Sequence, residues 1–168
     1  MELESGERRG YIIRRFKESD LDRVIYINRR CLPENYTPDF FLYHYREFPD
    51  GFLVAEIDGT VVGYIMTRID RGGILPQPFS REFGKVKGHV ISLAVMPHAR
   101  RRGIAESLMR EAIQNIRSRG VKEVYLEVRV TNNPAINLYR KLGFKVVNVL
   151  RRYYADGEDA YVMSLRMD

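Results

Sequence analysis

Arg100, Gly103 and Ala105 follow an apolar run at residues 90–95 and the stop Pro97. They open a stretch in which Ile104, Ala105, Leu108, Met109, Ala112, Ile113 and Ile116 recur at the spacing of one helix face. The spacing predicts strand, turn and helix in succession, with the turn at the helix N-terminus. Amides there lack carbonyl partners and face outward at the positive end of the helix dipole, so the turn favours an anion. Gly103 lets the backbone approach that anion with no Cβ in the way, and Arg100, Arg101 and Arg102 add positive charge. Capture of a phosphate-bearing ligand is the chemistry this pattern offers. The alternative is that the three arginines are solvated surface. The turn matches neither the dinucleotide fingerprint G-x-G-x-x-G nor a phosphate loop ending in Gly-Lys-Ser/Thr.

The elements that would position this turn read as follows. A strand is expected over residues 11–16, then a helix capped by Ser19 with Asp20 and Asp22 and buried along Leu21, Val24, Ile25 and Ile27. Thr37-Pro38 reads as the cap and first residue of a short second helix carrying Phe40, Phe41, His44, Tyr45 and Phe48. Two β-rich runs, 52–57 and 61–69, meet at Asp58-Gly59, a hairpin signal. Residues 70–87 read as a long loop and 1–10 as a flexible start. After the strand at 89–95 and the helix from Ile104 come a strand with Val124, Leu126, Val128 and Val130 on one face and a helix begun by Asn133-Pro134, with Asn133 as its expected cap. That helix carries Ile136, Leu138, Tyr139 and Leu142, and a final strand pair spans 144–150 and 160–165. The order β-α-α-β-β-β-α-β-α-β-β predicts a single α/β domain over 1–168, a central mixed sheet flanked by helices.

Composition narrows the class. With 168 residues, 45% hydrophobic and 30% charged, the chain has the make-up of one globular domain. No apolar run approaches the ~18–20 residues that span a bilayer, and the first residues lack a signal-peptide core, so the expected location is the cytoplasm, with no membrane partner. Cys31, the single cysteine, ends an apolar helix face and reads as core filler. A formal charge of +6 suits nucleic acid, a ribosomal surface or a phosphate-bearing ligand, and does not choose among them.

Arg100-x-x-Gly103-x-Ala105 directly after a strand resembles the coenzyme A pyrophosphate loop of the GNAT acetyltransferase superfamily, whose pattern is Arg/Gln-x-x-Gly-x-Gly/Ala, and the element order agrees with that fold along nearly the whole chain. Three further strings, Leu32-Pro33-Glu34-Asn35-Tyr36, Gly88-His89-Val90-Ile91-Ser92-Leu93-Ala94-Val95 and Tyr153-Tyr154-Ala155-Asp156-Gly157-Glu158-Asp159-Ala160-Tyr161, resemble the catalytic subunit of NatA-type protein N-terminal acetyltransferases, above all its archaeal members. The resemblance implies transfer of acetyl from acetyl-CoA to protein N-termini. It also implies no need for a metal or an auxiliary subunit and no specific nucleic acid, and it leaves ribosome association open.

It further implies roles. Glu34 and His89 match the family's base positions, and Tyr139 matches its candidate acid near the CoA sulfur. Leu93, Ala94 and Val95 would pair with the pantetheine through their backbones, and Arg100, Arg101, Arg102, Gly103, Ile104 and Ala105 would hold the pyrophosphate. Asn132 would contact the pantetheine arm, while Leu32, Tyr36, Arg129, Tyr153 and Tyr154 would hold the acceptor peptide. The plainer alternatives are a loop carboxylate for Glu34, a strand-end histidine for His89, a core aromatic for Tyr139 and packing for the hairpin tyrosines. Pro134 and the 70–87 segment do not map onto the eukaryotic catalytic subunits. An α-ammonium has a reference pKa of about 7.7–8.0, so roughly a tenth is neutral at pH 7 and a base can raise that population only about tenfold. Positioning and electrostatics must supply most of the acceleration. Two other readings remain: a RimI-like ribosomal-protein N-terminal alanine acetyltransferase, and a CoA-binding, ribosome-associated module without catalysis.

Overall fold

The computed structural model describes residues 10–71 and 85–168. The readings of 1–10 as flexible and of 70–87 as a loop therefore fall largely outside the described residues, and at the edges of the second segment Asp70 and Lys87 are already strand. Strands β1 (Ile12–Arg15), β2 (Phe52–Ile57), β3 (Thr60–Asp70), β4 (Lys87–Val95), β5 (Glu123–Arg129), β6 (Lys145–Leu150) and β7 (Ala160–Arg166) form one sheet in the order β1-β2-β3-β4-β5-β7-β6. Helices α1 (Leu21–Cys31), α2 (Pro38–Glu47), α3 (Ile104–Arg117) and α4 (Asn133–Lys141) flank it. The sheet is mixed: β1 with β2, β2 with β3, β5 with β7 and β6 with β7 are antiparallel, whereas β4 runs parallel to β5 at Gly88↔Val124 and His89↔Tyr125. This is the expected order of elements, with ends shifted by a residue or two.

The chain divides into two compact units. One comprises the described part of Met1–Arg68 with Ile91–Ile116, the other the described part of Ile69–Val90 with Arg117–Asp168. In the first, Asp58 (φ 48°) and Gly59 (φ 79°) both take positive φ, which the tight hairpin turn requires. Its core gathers Phe16, Val24, Ile27, Phe41, Phe52, Val54, Tyr64 and Met66, with Phe16 stacked on Phe52 at 4.1 Å. Cys31 packs against this core as filler, its Sγ 3.7 Å from the Val95 carbonyl. Thr37 caps α2 as the sequence predicts, accepting from Phe40 N at 3.3 Å.

The cap of α1 differs from expectation. Asp20, the residue at the cap position, makes no side-chain bond to the first amides. The Asp20 carboxylate turns instead to Arg14, at 2.7 and 2.9 Å, and to the amide of Lys17 at 2.9 Å. An arginine fork gives a carboxylate two charge-assisted bonds and outcompetes a single amide. In the second unit, β6 has five of its six residues exposed and twists through a bulge between Val146 and Asn148, features that blunt an edge strand. No helix among the described residues is long and apolar enough to cross a membrane.

Candidate active site

The phosphate-type turn lies in the first unit. β4 ends at Val95, a 3-10 turn spans Pro97–Ala99, and α3 starts at Ile104. Arg101 (φ 63°) and Gly103 (φ 82°) take left-handed backbone angles that swing the chain into the helix. The first intrahelical bond runs from Ser107 N to Gly103 O at 3.0 Å, so the amides of Ile104 and Ala105 precede the ladder and have no carbonyl one turn back. Tyr11 braces this corner: its hydroxyl donates to Gly103 O at 3.3 Å and lies 2.6 Å from Ser107 Oγ. Arg100, Arg101 and Arg102 are exposed, but Arg100 is also held in place, its Nε donating to Val95 O at 3.1 Å. Leu93 is half-buried, and Ala94 and Val95 are buried.

The Leu32–Tyr36 string forms a loop between α1 and α2, and a buried asparagine organises it. Asn28 is 0% exposed on the core face of α1. Its Nδ2 donates to Glu34 O at 3.0 Å and to the Tyr64 hydroxyl at 3.1 Å, while its Oδ1 accepts from Tyr36 N at 3.3 Å. Tyr64 continues the network to Ser92 Oγ at 2.7 Å, and burial pushes the Tyr64 phenol well above its usual range. Leu32 and Tyr36 pack on the core, with the Tyr36 ring stacked on Phe40 at 4.5 Å and its hydroxyl donating to Ile91 O at 3.4 Å. Glu34, half-buried, is thus set by its own backbone carbonyl.

In the second unit, His89 on β4 is 8% exposed, bonds Glu127 Oε2 through Nε2 at 2.6 Å and stacks on Tyr125 at 4.2 Å. Arg129, two residues beyond Glu127 on the same face of β5, joins the residues before β7: its guanidinium bonds Asp156 and Glu158 at 2.8 Å each and lies 4.1 Å from the Tyr154 ring centroid. Thr131 Oγ1 also donates to Glu158, and these two partners hold the Glu158 carboxyl below the usual range. Tyr153 contacts Tyr154 edge to face at 5.0 Å and is itself exposed. The structure therefore brings Arg129 and Tyr154 together, with Tyr153 at their margin.

Two expectations on α4 change. Asn132, not Asn133, is the helix cap, its Oδ1 accepting from Ala135 N at 3.4 Å, and Asn133 is the first helical residue with Pro134 second. Asn132 comes first because its backbone remains outside the helical region (φ −81°, ψ 72°). Tyr139 lies on the buried face of α4 with its ring 5.9 Å from Phe144, and burial pushes its phenol up to about 12.

Sequence reading missed three residues that shape these sites: Tyr11, Asn28 and Glu127. Asn28 left a detectable signal, a polar residue at the i+4 position from Val24 on an otherwise apolar stripe. Glu127 shares the alternate face of β5 with Tyr125 and Arg129, a charged row on a strand whose other face is buried. Tyr11 left none, since its partners are more than 90 residues away.

The chain as a whole is similar to known proteins. The Acetyltransferase (GNAT) family model matches residues 21–144. An N-alpha-acetyltransferase of Sulfurisphaera tokodaii is 49% identical over 164 residues, 96% of each chain. The N-terminal acetyltransferase A complex catalytic subunit NAA10 of Arabidopsis thaliana is 38% identical, over 90% of this chain and 75% of its own. The crystal structure of Chaetomium thermophilum Naa20 in complex with a bisubstrate analogue superposes with a TM-score of 0.85 at 32% identity, covering 93% of this chain and 86% of that one. The chain belongs to the GNAT acetyltransferase family. Within it, the chain is an acetyl-CoA-dependent N-alpha-acetyltransferase of the NatA catalytic-subunit type. The turn fits the donor: amides ahead of the α3 ladder, a left-handed glycine and three exposed arginines suit the pyrophosphate of coenzyme A.

Proposed function

We propose that this enzyme acetylates a broad range of protein N-termini by direct attack of the α-amine on the thioester in a ternary complex, acting in the cytoplasm as one domain over 1–168 without an auxiliary subunit. The observation that carries the reading is the end-to-end likeness to N-alpha-acetyltransferases together with a first loop, Leu32–Tyr36, pinned from inside by Asn28. A wall held that firmly suits an acceptor whose terminal residues are gripped. Binding of the acceptor is assigned to Leu32, Tyr36, Arg129, Tyr153 and Tyr154.

Acetyl-CoA supplies an activated acyl carbon. The backbones of Leu93, Ala94 and Val95, with Asn132, orient the pantetheine, and Arg100, Arg101, Arg102, Gly103, Ile104 and Ala105 hold the pyrophosphate. Glu34 and His89, through ordered water, take the proton that the α-ammonium releases. As the N–C bond forms and the C–S bond breaks, an amide near Val95 stabilises charge on the carbonyl oxygen and Tyr139 gives the thiolate its proton. Ribosome association fits the basic charge and would place the enzyme beside nascent chains.

A panel of peptides differing only in their first two residues separates this from the RimI-like reading. Turnover on Ser-, Ala-, Thr-, Gly- and Met-initiated peptides within about tenfold of one another, a spread of about 1.4 kcal/mol, is expected. Activity confined to one ribosomal N-terminus would overturn the broad specificity.

A further inference from the structure

The donor turn is tied down by a residue that lies outside every string carrying the family resemblance. Tyr11, just before β1, is 2% exposed, and its hydroxyl donates to Gly103 O at 3.3 Å. A phenol has one hydrogen, so in the 2.6 Å contact with Ser107 Oγ the serine is the donor, and the chain runs from Ser107 Oγ to Tyr11 Oη to Gly103 O. Gly103 O also accepts from Ser107 N at 3.0 Å, the first bond of the α3 ladder. Two donors therefore fix one carbonyl. That carbonyl and the Ile104 amide are opposite ends of one planar trans peptide, so holding the oxygen aims the N–H the other way. We propose that Tyr11 is a positioning residue for the donor: by locking the Gly103–Ile104 peptide it presets the Ile104 amide for the pyrophosphate of acetyl-CoA.

The turn needs such a lock. Gly103 has no Cβ to restrict it, so the residue whose open backbone admits an anion is also the one least able to hold its own peptide plane. An amide already aimed at its ligand spares the ordering cost that a swinging one incurs on binding. The residue before Tyr11 touches the same turn. At Gly10 (φ 79°) a Cβ would stand 2.9 Å from Arg102 Nη2, so the chain entering β1 passes directly against the third arginine. Gly10 and Tyr11 thus meet Arg102, Gly103 and Ser107 in succession, and all five residues belong to one compact unit. The inference rests on the reading of Arg100–Ala105 as the pyrophosphate site.

Two donors that differ in their phosphates test it. Peptide acetylation is followed with acetyl-CoA and with S-acetylpantetheine, which carries the same thioester and no phosphate. Tyr11→Phe keeps the buried ring and removes the hydroxyl. It should lower kcat/KM for acetyl-CoA roughly fivefold, the worth of one net hydrogen bond, as a rise in KM with kcat held. With S-acetylpantetheine, kcat/KM should stay within about twofold of wild type, which also shows that the variant is folded. Ser107→Ala leaves the Tyr11 hydroxyl on Gly103 O but removes its support, and should shift the ratio between the donors in the same direction by less. Wild-type use of acetyl-CoA by Tyr11→Phe would overturn the proposal, and so would an equal fall with both donors, the mark of a structural role. Should Tyr11→Phe not fold, an unchanged donor ratio in Ser107→Ala would overturn it. A wild type that uses S-acetylpantetheine as well as acetyl-CoA would defeat the pyrophosphate reading of the turn itself, and the proposal with it.

Discussion

In the proposed mechanism Tyr139 gives a proton, whereas Glu34 and His89 take one. Burial pushes the Tyr139 phenol up to about 12, so it keeps its proton throughout the range in which α-amines become neutral. A donor of that kind predicts a kcat profile that rises with pH as amine deprotonates and shows no fall from tyrosine ionisation below about 12. A fall centred near 10 that disappears in Tyr139→Phe would contradict the assignment. Glu34 is half-buried in a loop and His89 is 8% exposed on a strand. Glu34→Gln combined with His89→Ala should reduce turnover roughly tenfold, the most that supplying neutral amine provides at pH 7, while calorimetry finds CoA affinity within about twofold of wild type. Equal loss in both would make these residues structural.

At the scale of elements, the α1–α2 loop shows why some of the site was legible and some was not. Leu32, Glu34 and Tyr36 stood out as a specific string, and helical spacing marked α1. That Asn28 bonds Glu34, Tyr36 and Tyr64 was invisible, because Tyr64 is 36 residues away and a single polar residue carries no spacing signal for its partner. Likewise the Asn132/Asn133 cap was ambiguous from residue type alone and was decided by backbone angles, and Asp20 was diverted from capping by Arg14 across a turn. Asn28→Ala removes four hydrogen bonds and leaves buried partners unmatched. Denaturant unfolding should show a loss of about 2–3 kcal/mol, and peptide KM should rise more than that for acetyl-CoA. Wild-type stability in this variant would mean that the loop is held by its own packing.

For the whole molecule, the order of strands and helices along the chain followed from periodicity, turn residues and caps, each a local signal, whereas the order of strands within the sheet, with β7 between β5 and β6, did not. The assigned site residues fall in both compact units, Glu34 and the Arg100–Ala105 turn in one, His89, Arg129, Asn132 and Tyr139 in the other. Local patterns cannot register such residues against one another, so the donor turn was read from physics and the acceptor residues only from resemblance. A charge of +6 agrees with a phosphate-rich donor and selects no acceptor. The chemical identity of the acceptor nitrogen is therefore the point on which the account stands. It is tested most directly by incubating the enzyme and acetyl-CoA with one peptide that carries both a free α-amine and an internal lysine, then locating the acetyl group by fragmentation mass spectrometry. The account predicts acetylation at the α-amine with the lysine unmodified, and acetylation of the lysine with the α-amine left free would contradict it.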